Sequence, residues 1–312
     1  MHRNNKKNPG ITVCVPAHNE QNNISNLLNS VLKQEGDFML EKIYVALDAC
    51  TDGTAQKVIE IRKKDKRVIL IKNYTRKGKA ARLNQMLSRN TSQYVAFFDA
   101  DIVLTRTSEI QIMIQKIQSN KDINVVAGRQ VPYSHTSFIG KITNASFNMW
   151  YRITSDVNDG NHIHNLHGSA SLLKGTFAKR FRFPIGVMSD QCYLYLSAVK
   201  NNKNGFALAN DTQILFRMVS TITDARKQGT RSIYDDKKNI VRYFGDDAYN
   251  FYKIPIENKA RGLIQSFAID PVYSFFAIFL GLYIRKFPYQ KVYEKEGVWS
   301  DVTSTKLEIR IY

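Results

Sequence analysis

Cysteine is scarce in this sequence, and its three occurrences, Cys14, Cys50 and Cys192, are far apart. An odd and scattered set excludes a disulfide framework and a zinc site built from four cysteines. The first ten residues, "MHRNNKKNPG", are polar and basic and lack the apolar stretch of a secretory signal peptide. These absences favour a reducing, cytosolic environment, and the basic N-terminus, residues 1–10, is expected to be flexible.

Two nucleotide-binding signatures are also missing. The sequence contains no Walker motif (GxxxxGK followed by Ser or Thr) and no GxGxxG after its first apolar run. The hypotheses of a P-loop kinase or ATPase and of an NAD-dependent enzyme therefore lose their main support in the sequence.

Acidic residues are too few to balance the basic ones. There are 27 Asp and Glu against 45 Lys and Arg, which gives a formal net charge of +18. Residues 57–82 alone hold eleven basic residues against Glu60 and Asp65. Their net charge of +9 is half of the total net charge. Such a charge points to nucleic acid, acidic lipid or a phosphorylated small molecule as partner. For the lysines of "IRKKDKR" (61–67), a solvated helix face is an equally good explanation.

Short apolar runs alternate with longer segments of helical spacing from residue 11 to residue 129. Strands are predicted over "ITVCV" (11–15), "KIYVALD" (42–48), "RVILI" (67–71), "YVAFFDADIVL" (94–104) and "INVVAG" (123–128). Helices are predicted from residue 24 and over 54–64, 79–89 and 107–118. Strands that are apolar on both faces and joined by helices predict an α/β fold with a doubly wound, parallel sheet.

Polar sequences stand where four of these strands end. They are "PAHNE" (16–20), "DACTDGT" (48–54), "RKGK" (76–79) and "DAD" (99–101). Ligands of doubly wound sheets bind outside the carboxyl ends of the strands. The sequence therefore predicts one crevice to which four strands contribute.

The carboxylates Asp99 and Asp101 follow an apolar run directly. Burying such charges costs on the order of several kcal/mol unless they are paired or coordinated. Mg²⁺ and Mn²⁺ take oxygen ligands, commonly one or two carboxylates together with substrate phosphates. The basic residues around Gly78 and the helix that follows them supply the opposite charge. The two motifs predict a site for a divalent cation and a diphosphate.

Taken together, these motifs resemble the family-two glycosyltransferases, inverting enzymes of the GT-A fold that use nucleotide-sugar donors. The resemblance covers about residues 11–231 and rests on "VPAHNE", "DACTDGT", "RKGKAARLN", "DAD" and "SDQCYLY" (189–195), which follow in family order. It implies a Rossmann-like, mixed sheet in a GT-A domain over 11–250. The nucleotide-sugar-binding half would be 11–130 and the acceptor half 131–250.

The same resemblance implies a role for each matching residue. The donor would contact Pro16, Ala17, Glu20, Asp48, Lys77, Lys79 and Asp99, with Asp48 at the base and Asp99 near the ribose. Asp101, together with Asp99, would hold Mn²⁺ or Mg²⁺. Asp190 would be the general base that takes the proton of the acceptor hydroxyl as it attacks the anomeric carbon.

Two departures from the family pattern concern the acceptor side. Ser189 stands where Glu commonly precedes the catalytic Asp, although Asp190 is kept. Gln228 and Arg231 match the acceptor-binding Gln-x-x-Arg-Trp motif of processive relatives, but Ser232 replaces the Trp. A stacking surface for the acceptor sugar is thereby lost. This favours transfer of one or a few sugars over long-chain synthesis.

The most apolar window, 263–284, lies in a C-terminal region (251–312) that is predicted to be helical. A helix of that length could cross a bilayer, but Asp270-Pro271 interrupts it and basic residues flank both ends. A helix that lies on the membrane surface is the favoured prediction. A buried core or oligomer helix and a membrane span are the alternatives.

Three histidines in "HIHNLHG" (162–168) stand close together. No carboxylate or Cys completes a ligand set of the usual zinc spacing. A polar loop that contacts the acceptor is predicted here rather than a zinc site.

The sequence thus predicts a metal-dependent, inverting transferase that moves a sugar from a nucleotide-diphosphate sugar, with UDP the commonest choice, to a cell-envelope polysaccharide or lipid-linked acceptor. It is expected as a peripheral protein at the inner face of the cell membrane. The alternatives are a nucleotidyltransferase with a related sheet and a basic nucleic-acid-binding protein. A nucleic-acid partner is not expected, because the acidic motifs beside "RKGK" would repel a phosphate backbone.

Overall fold

The computed structural model describes residues 8–290, 293–295 and 297–310. Most of the predicted flexible N-terminus, residues 1–7, lies outside these ranges. The domain boundaries proposed from the sequence stay predictions. The elements below nevertheless follow the predicted order along the chain.

The first part of the chain is a regular series of strands and helices. Its elements are β1 (Gly10–Ala17), α1 (Ile24–Leu32), β2 (Met39–Leu47), α2 (Thr54–Lys64), β3 (Val68–Ile71), α3 (Lys79–Leu87) and β4 (Tyr94–Phe98). The strands pair in parallel in the order β3-β2-β1-β4. The predicted strand over 94–104 is divided in two, because the chain turns at Asp99–Asp101 before β5 (Ile102–Leu104).

The second part departs from the parallel pattern. It contains α4 (Glu109–Gln118), β6 (Val125–Pro132), α5 (Phe138–Thr154), β7 (Ala170–Lys174), α6 (Gly175–Arg180), α7 (Asp190–Val199) and β8 (Phe206–Phe216). The full sheet order is β3-β2-β1-β4-β7-β6-β8-β5, and β7 runs antiparallel to both β4 and β6. The expectation of an all-parallel sheet is therefore wrong, whereas the mixed sheet implied by the resemblance is confirmed. Apolar periodicity identifies a strand but not the direction of its neighbour.

Alternate residues of the central strands enter two different cores. Val13 and Val45 pack on one side, beneath α1, α2 and α4, whereas Cys14 and Tyr44 pack on the other side, against α3 and α7. Successive side chains of a strand point to opposite faces, so an unbroken apolar run is what a sheet covered on both faces requires. This arrangement leaves the ends of the strands as the place where polar residues can collect.

The remaining elements are mostly helical. They are α8 (Ile222–Thr230), a π-helical turn (Arg231–Asp235), α9 (Asp236–Phe244), α10 (Ile256–Ile269), α11 (Pro271–Lys286), and the short strands β9 (Tyr293–Lys295) and β10 (Val298–Trp299). The predicted interruption is confirmed: α10 ends at Ile269, and the Asp270 side chain accepts a hydrogen bond from Tyr273 N at the start of α11.

The helices α10 and α11 form a hairpin that packs against α5. Gly262 lies directly against Ile153, where a Cβ would clash, and Ala277 is buried in the same cluster. Among the described residues, no helix combines the length and the apolar character that crossing a bilayer requires. The membrane span, which the sequence left as an alternative, is not found among these described residues.

Candidate active site

The carboxyl ends of β1, β2 and β4 meet at one edge of the sheet. Ala17 pairs with Leu47 at the ends of β1 and β2, and Cys14 pairs with Phe97 in β4. Asp48 follows β2 directly and Asp99 follows β4 directly. The predicted convergence of strand ends is therefore what the fold produces.

Asp48 is buried and holds the "RKGK" loop in place. One carboxylate oxygen accepts from Lys77 N at 2.8 Å and from Arg82 Nε at 2.7 Å, and the other accepts from Gly78 N at 2.8 Å. The Lys77 and Gly78 amides, in the loop where the sequence predicts a diphosphate, thus donate to Asp48. Contact between Asp48 and a nucleotide base stays a prediction, and the contacts in hand are those of a residue that shapes the loop.

Arg82 is a buried partner that the sequence reasoning passed over. Its side chain is 6% exposed, and it also donates to the Thr75 carbonyl oxygen. A signal was available, because Arg82 and Met86 are four residues apart on the buried face of α3. A basic residue at an apolar position of a helix requires a buried anion.

Lys79 joins the two carboxylates on which the predicted chemistry depends. Its Nζ lies 2.8 Å from Asp99 Oδ1 and 3.1 Å from Asp190 Oδ2, and it donates to the Gly168 carbonyl oxygen at 2.9 Å. Asp99 comes from the end of β4 and Asp190 from the start of α7, so these residues are 91 positions apart in the sequence. The structure therefore brings the predicted donor region and the predicted base to one point.

The charges at this point depend on one another. Burial alone would lower the pKa of Lys79, but the Asp190 and Asp99 carboxylates raise it above its usual range. Burial raises the pKa of Asp99, and the Lys79 ammonium opposes that rise. Part of the cost of burying Asp99 is accordingly offset by Lys79, a residue of the chain itself, where the sequence had suggested a bound cation and diphosphate.

Among the described residues, Asp101 and Glu20 have no cation as close as the Lys79 ammonium is to Asp99. Burial, followed by repulsion from Asp99, raises the pKa of Asp101 to about 6. Burial, followed by repulsion from Asp101, raises the pKa of Glu20 to about 9. Glu20 is within 3.9 Å of Lys306 Nζ, whereas no side chain of the described residues donates a hydrogen bond to the Asp101 carboxylate. Asp101 is therefore the carboxylate whose charge a bound cation would offset most.

A complete protein cage for a metal is not formed. Within the described ranges, no three His, Cys, Asp or Glu side chains stand together as a ligand set. This agrees with a Mg²⁺ or Mn²⁺ site that takes one or two carboxylates from the protein and its other ligands from water and phosphate. Asp101 and Asp99 fit that mode of binding.

The other residues that were predicted to contact the donor lie in different environments. Pro16 and Ala17 are buried in the pairing of β1 with β2, and the Ala17 carbonyl oxygen accepts from Asp48 N at 2.8 Å. The Lys77 side chain is exposed at the rim of the crevice. Donor contact by these three residues stays a prediction.

The predicted acceptor motif reaches the crevice through one of its two residues. Arg231 begins the π-helical turn after α8, and its charge acts on Asp99. Gln228 is half-buried on α8, three residues earlier. Arg231 is thus near the predicted chemistry, and acceptor binding by either residue stays a prediction.

The three histidines of 162–168 have ordinary packing roles. His162 is buried, and His164 stacks between Trp150 and Tyr252. His167 packs on Phe147, and burial lowers its pKa to about 4.

Residues 297–310 cross the mouth of the crevice, which the sequence analysis did not foresee. Asp301 pairs with Arg76 at 2.8 Å, and Lys306 Nζ donates to the His18 carbonyl oxygen at 2.9 Å. The segment lacks apolar periodicity and a recognisable motif, so only long-range contacts reveal where it lies.

The sequence has relatives among characterised proteins. Residues 12–181, more than half of the chain, match the model described as Glycosyl transferase family 2. The chain is 26% identical over 192 residues to the UDP-Glc:alpha-D-GlcNAc-diphosphoundecaprenol beta-1,3-glucosyltransferase WfgD of Escherichia coli, covering 62% of this chain and 70% of that protein. It is 27% identical over 133 residues to the poly-beta-1,6-N-acetyl-D-glucosamine synthase of Staphylococcus aureus, covering 43% of this chain and only 31% of the synthase.

Solved structures share the fold. The mannosyltransferase PcManGT from Pyrobaculum calidifontis, solved with GDP-Man and Mn²⁺, superposes with a TM-score of 0.56 at 17% identity, covering 90% of this chain and 76% of that one. The glucosyl-3-phosphoglycerate synthase of Mycobacterium tuberculosis, solved with Mg²⁺ and UDP, gives 0.52 at 15% identity over 75% and 79% of the two chains.

Proposed function

The chain belongs to glycosyl transferase family 2 and is a glycosyltransferase, and from that premise we propose an inverting, metal-dependent enzyme that takes its sugar from a UDP-sugar. The acceptor is a cell-envelope polysaccharide or a lipid-linked glycan. The observation that carries this proposal is the contact of Lys79 with both Asp99 and Asp190. Family membership favours this function over the nucleotidyltransferase and the nucleic-acid-binding alternatives.

Asp190 is the residue proposed to take the proton. An acceptor hydroxyl gives its proton to the Asp190 carboxylate while its oxygen attacks the anomeric carbon from the side opposite the diphosphate. The new bond joins that oxygen to the anomeric carbon, and the bond from this carbon to the phosphate oxygen breaks. Lys79 Nζ, at 3.1 Å from Asp190 Oδ2, holds this carboxylate in a fixed position for the transfer.

The same ammonium links the base to the donor side of the crevice. Asp99 lies 2.8 Å from Lys79 Nζ, so its position and that of Asp190 are fixed together. Asp101, with Asp99, would hold Mn²⁺ or Mg²⁺, which would supply positive charge for the departing diphosphate. Structures of Mn²⁺ and Mg²⁺ complexes with nucleotides in the two structural relatives support this assignment.

The proposed donor and acceptor draw on the relatives. The E. coli protein is named for UDP-Glc and a diphosphoundecaprenol acceptor, and the S. aureus protein is named as a polysaccharide synthase. Because the Pyrobaculum structure holds GDP-Man, the nucleotide is the part of the proposal that needs a direct comparison.

An apolar surface supports an acceptor at the membrane. The α10–α11 hairpin packs one side on α5 and leaves its other side open, with more than a third of each of these side chains exposed: Ile264, Ile269, Val272, Phe275, Phe279 and Leu282. Exposed Lys259 and Arg261 near the start of α10, and Arg285 and Lys286 at the end of α11, flank this surface in the sequence. An apolar strip with basic flanks suits the interface of an anionic bilayer. We place the enzyme as a peripheral protein at the cytoplasmic face of the cell membrane.

Nucleotide binding tests the proposal. Thermal unfolding with UDP and Mn²⁺ is expected to show stabilisation that EDTA removes, with GDP as a parallel arm, and mass spectrometry of donor hydrolysis identifies the sugar. Asp190→Asn should bind UDP like the parent and lose about 10²- to 10⁴-fold in transfer. Exposed Asp247 provides the control, since Asp247→Asn makes the same chemical change outside the crevice. Normal turnover by Asp190→Asn would remove the assigned base.

A further inference from the structure

A strap, defined here as residues 297–310, binds both halves of the crevice. On the donor side, Ile309 is fully buried, its N–H donates to Asn23 Oδ1 at 3.2 Å, and its carbonyl oxygen accepts from Asn26 at 2.9 Å. On the acceptor side, Ser304 N donates to Asp224 Oδ2 at 3.0 Å. The strap therefore spans the opening through which a donor would enter.

Asp301 of the strap occupies a cluster of basic groups. Its carboxylate lies 2.8 Å from Arg76 Nη2, 3.6 Å from His18 Nε2 and 3.8 Å from Lys306 Nζ. The nearby His18 imidazole, followed by the charges of Lys306 and Arg76, holds the pKa of Asp301 well below its usual range despite partial burial. An anion is thus bound where two of the nucleotide-binding motifs meet.

Two of these basic groups belong to the body of the protein. His18 Nδ1 is 2.6 Å from the Asp48 carbonyl oxygen, and since a carbonyl can only accept, this nitrogen carries a proton and Nε2 is turned towards Asp301. Arg76 belongs to the "RKGK" loop that Asp48 fixes. The two groups would stay in place if the strap moved.

The strap also lies on the backbone of the same loop. A Cβ at Gly78 would stand 2.0 Å from the Gly297 carbonyl oxygen. Gly78 is the glycine at which close approach by a phosphate was expected from the sequence. Further along the strap, Lys306 brings an ammonium to 3.9 Å from Glu20, beside the acidic residues of the crevice. The strap thus presents an anion to the basic side and a cation to the acidic side.

We propose that His18 and Arg76 bind the diphosphate of the donor, and that Asp301 occupies this anion site until the donor displaces the strap. This inference rests on the proposed use of a nucleoside-diphosphate donor. Donor and strap then compete for the same two basic side chains, so the apparent donor affinity equals the intrinsic affinity multiplied by the fraction of molecules in which the strap is open.

The individual contacts of Asp301 suit a reversible closure. Its side chain is 36% exposed, and ion pairs at such positions contribute about 0 to 1 kcal/mol each. A diphosphate carries more negative charge than one carboxylate and can replace it. Removing the Asp301 charge should therefore shift the strap towards its open state without altering the site that the donor uses.

Calorimetric titration with UDP at fixed Mn²⁺ provides the first measurement. Asp301→Asn is expected to bind UDP about three- to tenfold more tightly than the parent, as expected for loss of a few weak ion pairs. Glu308→Gln is the matched control, because Glu308 is exposed on the same strap and pairs with Arg310 at 3.5 Å. This control should bind like the parent. Equal or weaker binding by Asp301→Asn would overturn the proposal.

Hydrogen exchange of the strap amides provides the second measurement. If the strap is displaced, saturating UDP and Mn²⁺ should raise exchange at Ser304 and Ile309, whose N–H groups are bonded in the closed state. Protection of these amides would mean that the strap completes the donor site, and the proposal would fail while the glycosyltransferase function stood. If neither the parent nor Asp301→Asn bound UDP, GDP or inorganic diphosphate, the proposed donor class and the anion site would both be wrong.

Discussion

The crevice floor and the outer segments of this protein are held by different kinds of contact. The floor, that is Asp48, Arg82, Lys79, Asp99 and Asp190, consists of charged contacts between side chains that are 6 to 28% exposed. The outer segments are the strap, in which the Asp301 side chain is 36% exposed, and the α10–α11 hairpin, whose open side carries apolar side chains that are about half exposed or more. Water can therefore replace a lost partner less readily in the first region than in the second.

This difference predicts how each region responds to change. Removing one partner of a buried pair leaves an uncompensated charge. This lowers either the stability of the protein or the activity of the site. Removing a partly exposed side chain leaves a group that water can solvate. The floor should therefore be intolerant and fixed, and the outer segments should be tolerant and adjustable.

Arg82→Met should produce the largest loss of stability. It leaves Asp48 buried with one of its three donors gone, and breaking such a pair costs about 3 to 5 kcal/mol. Urea unfolding followed by circular dichroism measures the free energy of unfolding. Arg89→Met, at an exposed position just beyond α3, should change it by less than about 0.5 kcal/mol. Equal losses in the two variants would contradict the distinction between floor and surface.

The contrast between the two regions also decides what a sequence can reveal. The bounds of α2, residues 54–64, were predicted without error, and the Asp270-Pro271 break was found, because residue spacing and a proline are local signals. The antiparallel β7 was not found, since strand direction depends on a partner distant in the chain. The strap was not found either, because Asp301 meets Arg76 across 225 residues and no local pattern marks such a pair.

Lys79→Met should have the next largest effect, on catalysis. Asp99 and Asp190 would then lack the ammonium that holds them together, and loss of one preorganised charge costs about 10²- to 10³-fold in turnover. The measurement is transfer at saturating donor, alongside UDP affinity. Lys72→Met changes an exposed lysine before the "RKGK" loop and should leave turnover as it is. Unchanged turnover in Lys79→Met would mean that the two carboxylates act independently of this contact.

The sequence predicted the carboxylates of the floor but not how they are neutralised. Asp99 and Asp101 were identified because they follow an apolar strand, and Asp190 because "SDQCYLY" resembles the base motif of the family. The role of Lys79 was assigned to a phosphate, whereas its ammonium bonds to two of these carboxylates. A motif indicates which residue types a site contains. Which of their charges pair depends on the fold, which brings the end of β4 close to the start of α7.

Phe275→Ser with Phe279→Ser should have the smallest effect on the folded protein. These rings lie 4.5 Å apart on the open side of α11 and are about half exposed, so stability should change by less than about 1 kcal/mol. Binding to vesicles containing phosphatidylglycerol should fall about tenfold or more, because partial burial of two aromatic rings in the interface is lost. Sedimentation of vesicles measures this. Ile185→Ser, which alters a fully exposed residue before α7, is the control, and an equal loss there would mean that the hairpin is not the surface that meets the lipid.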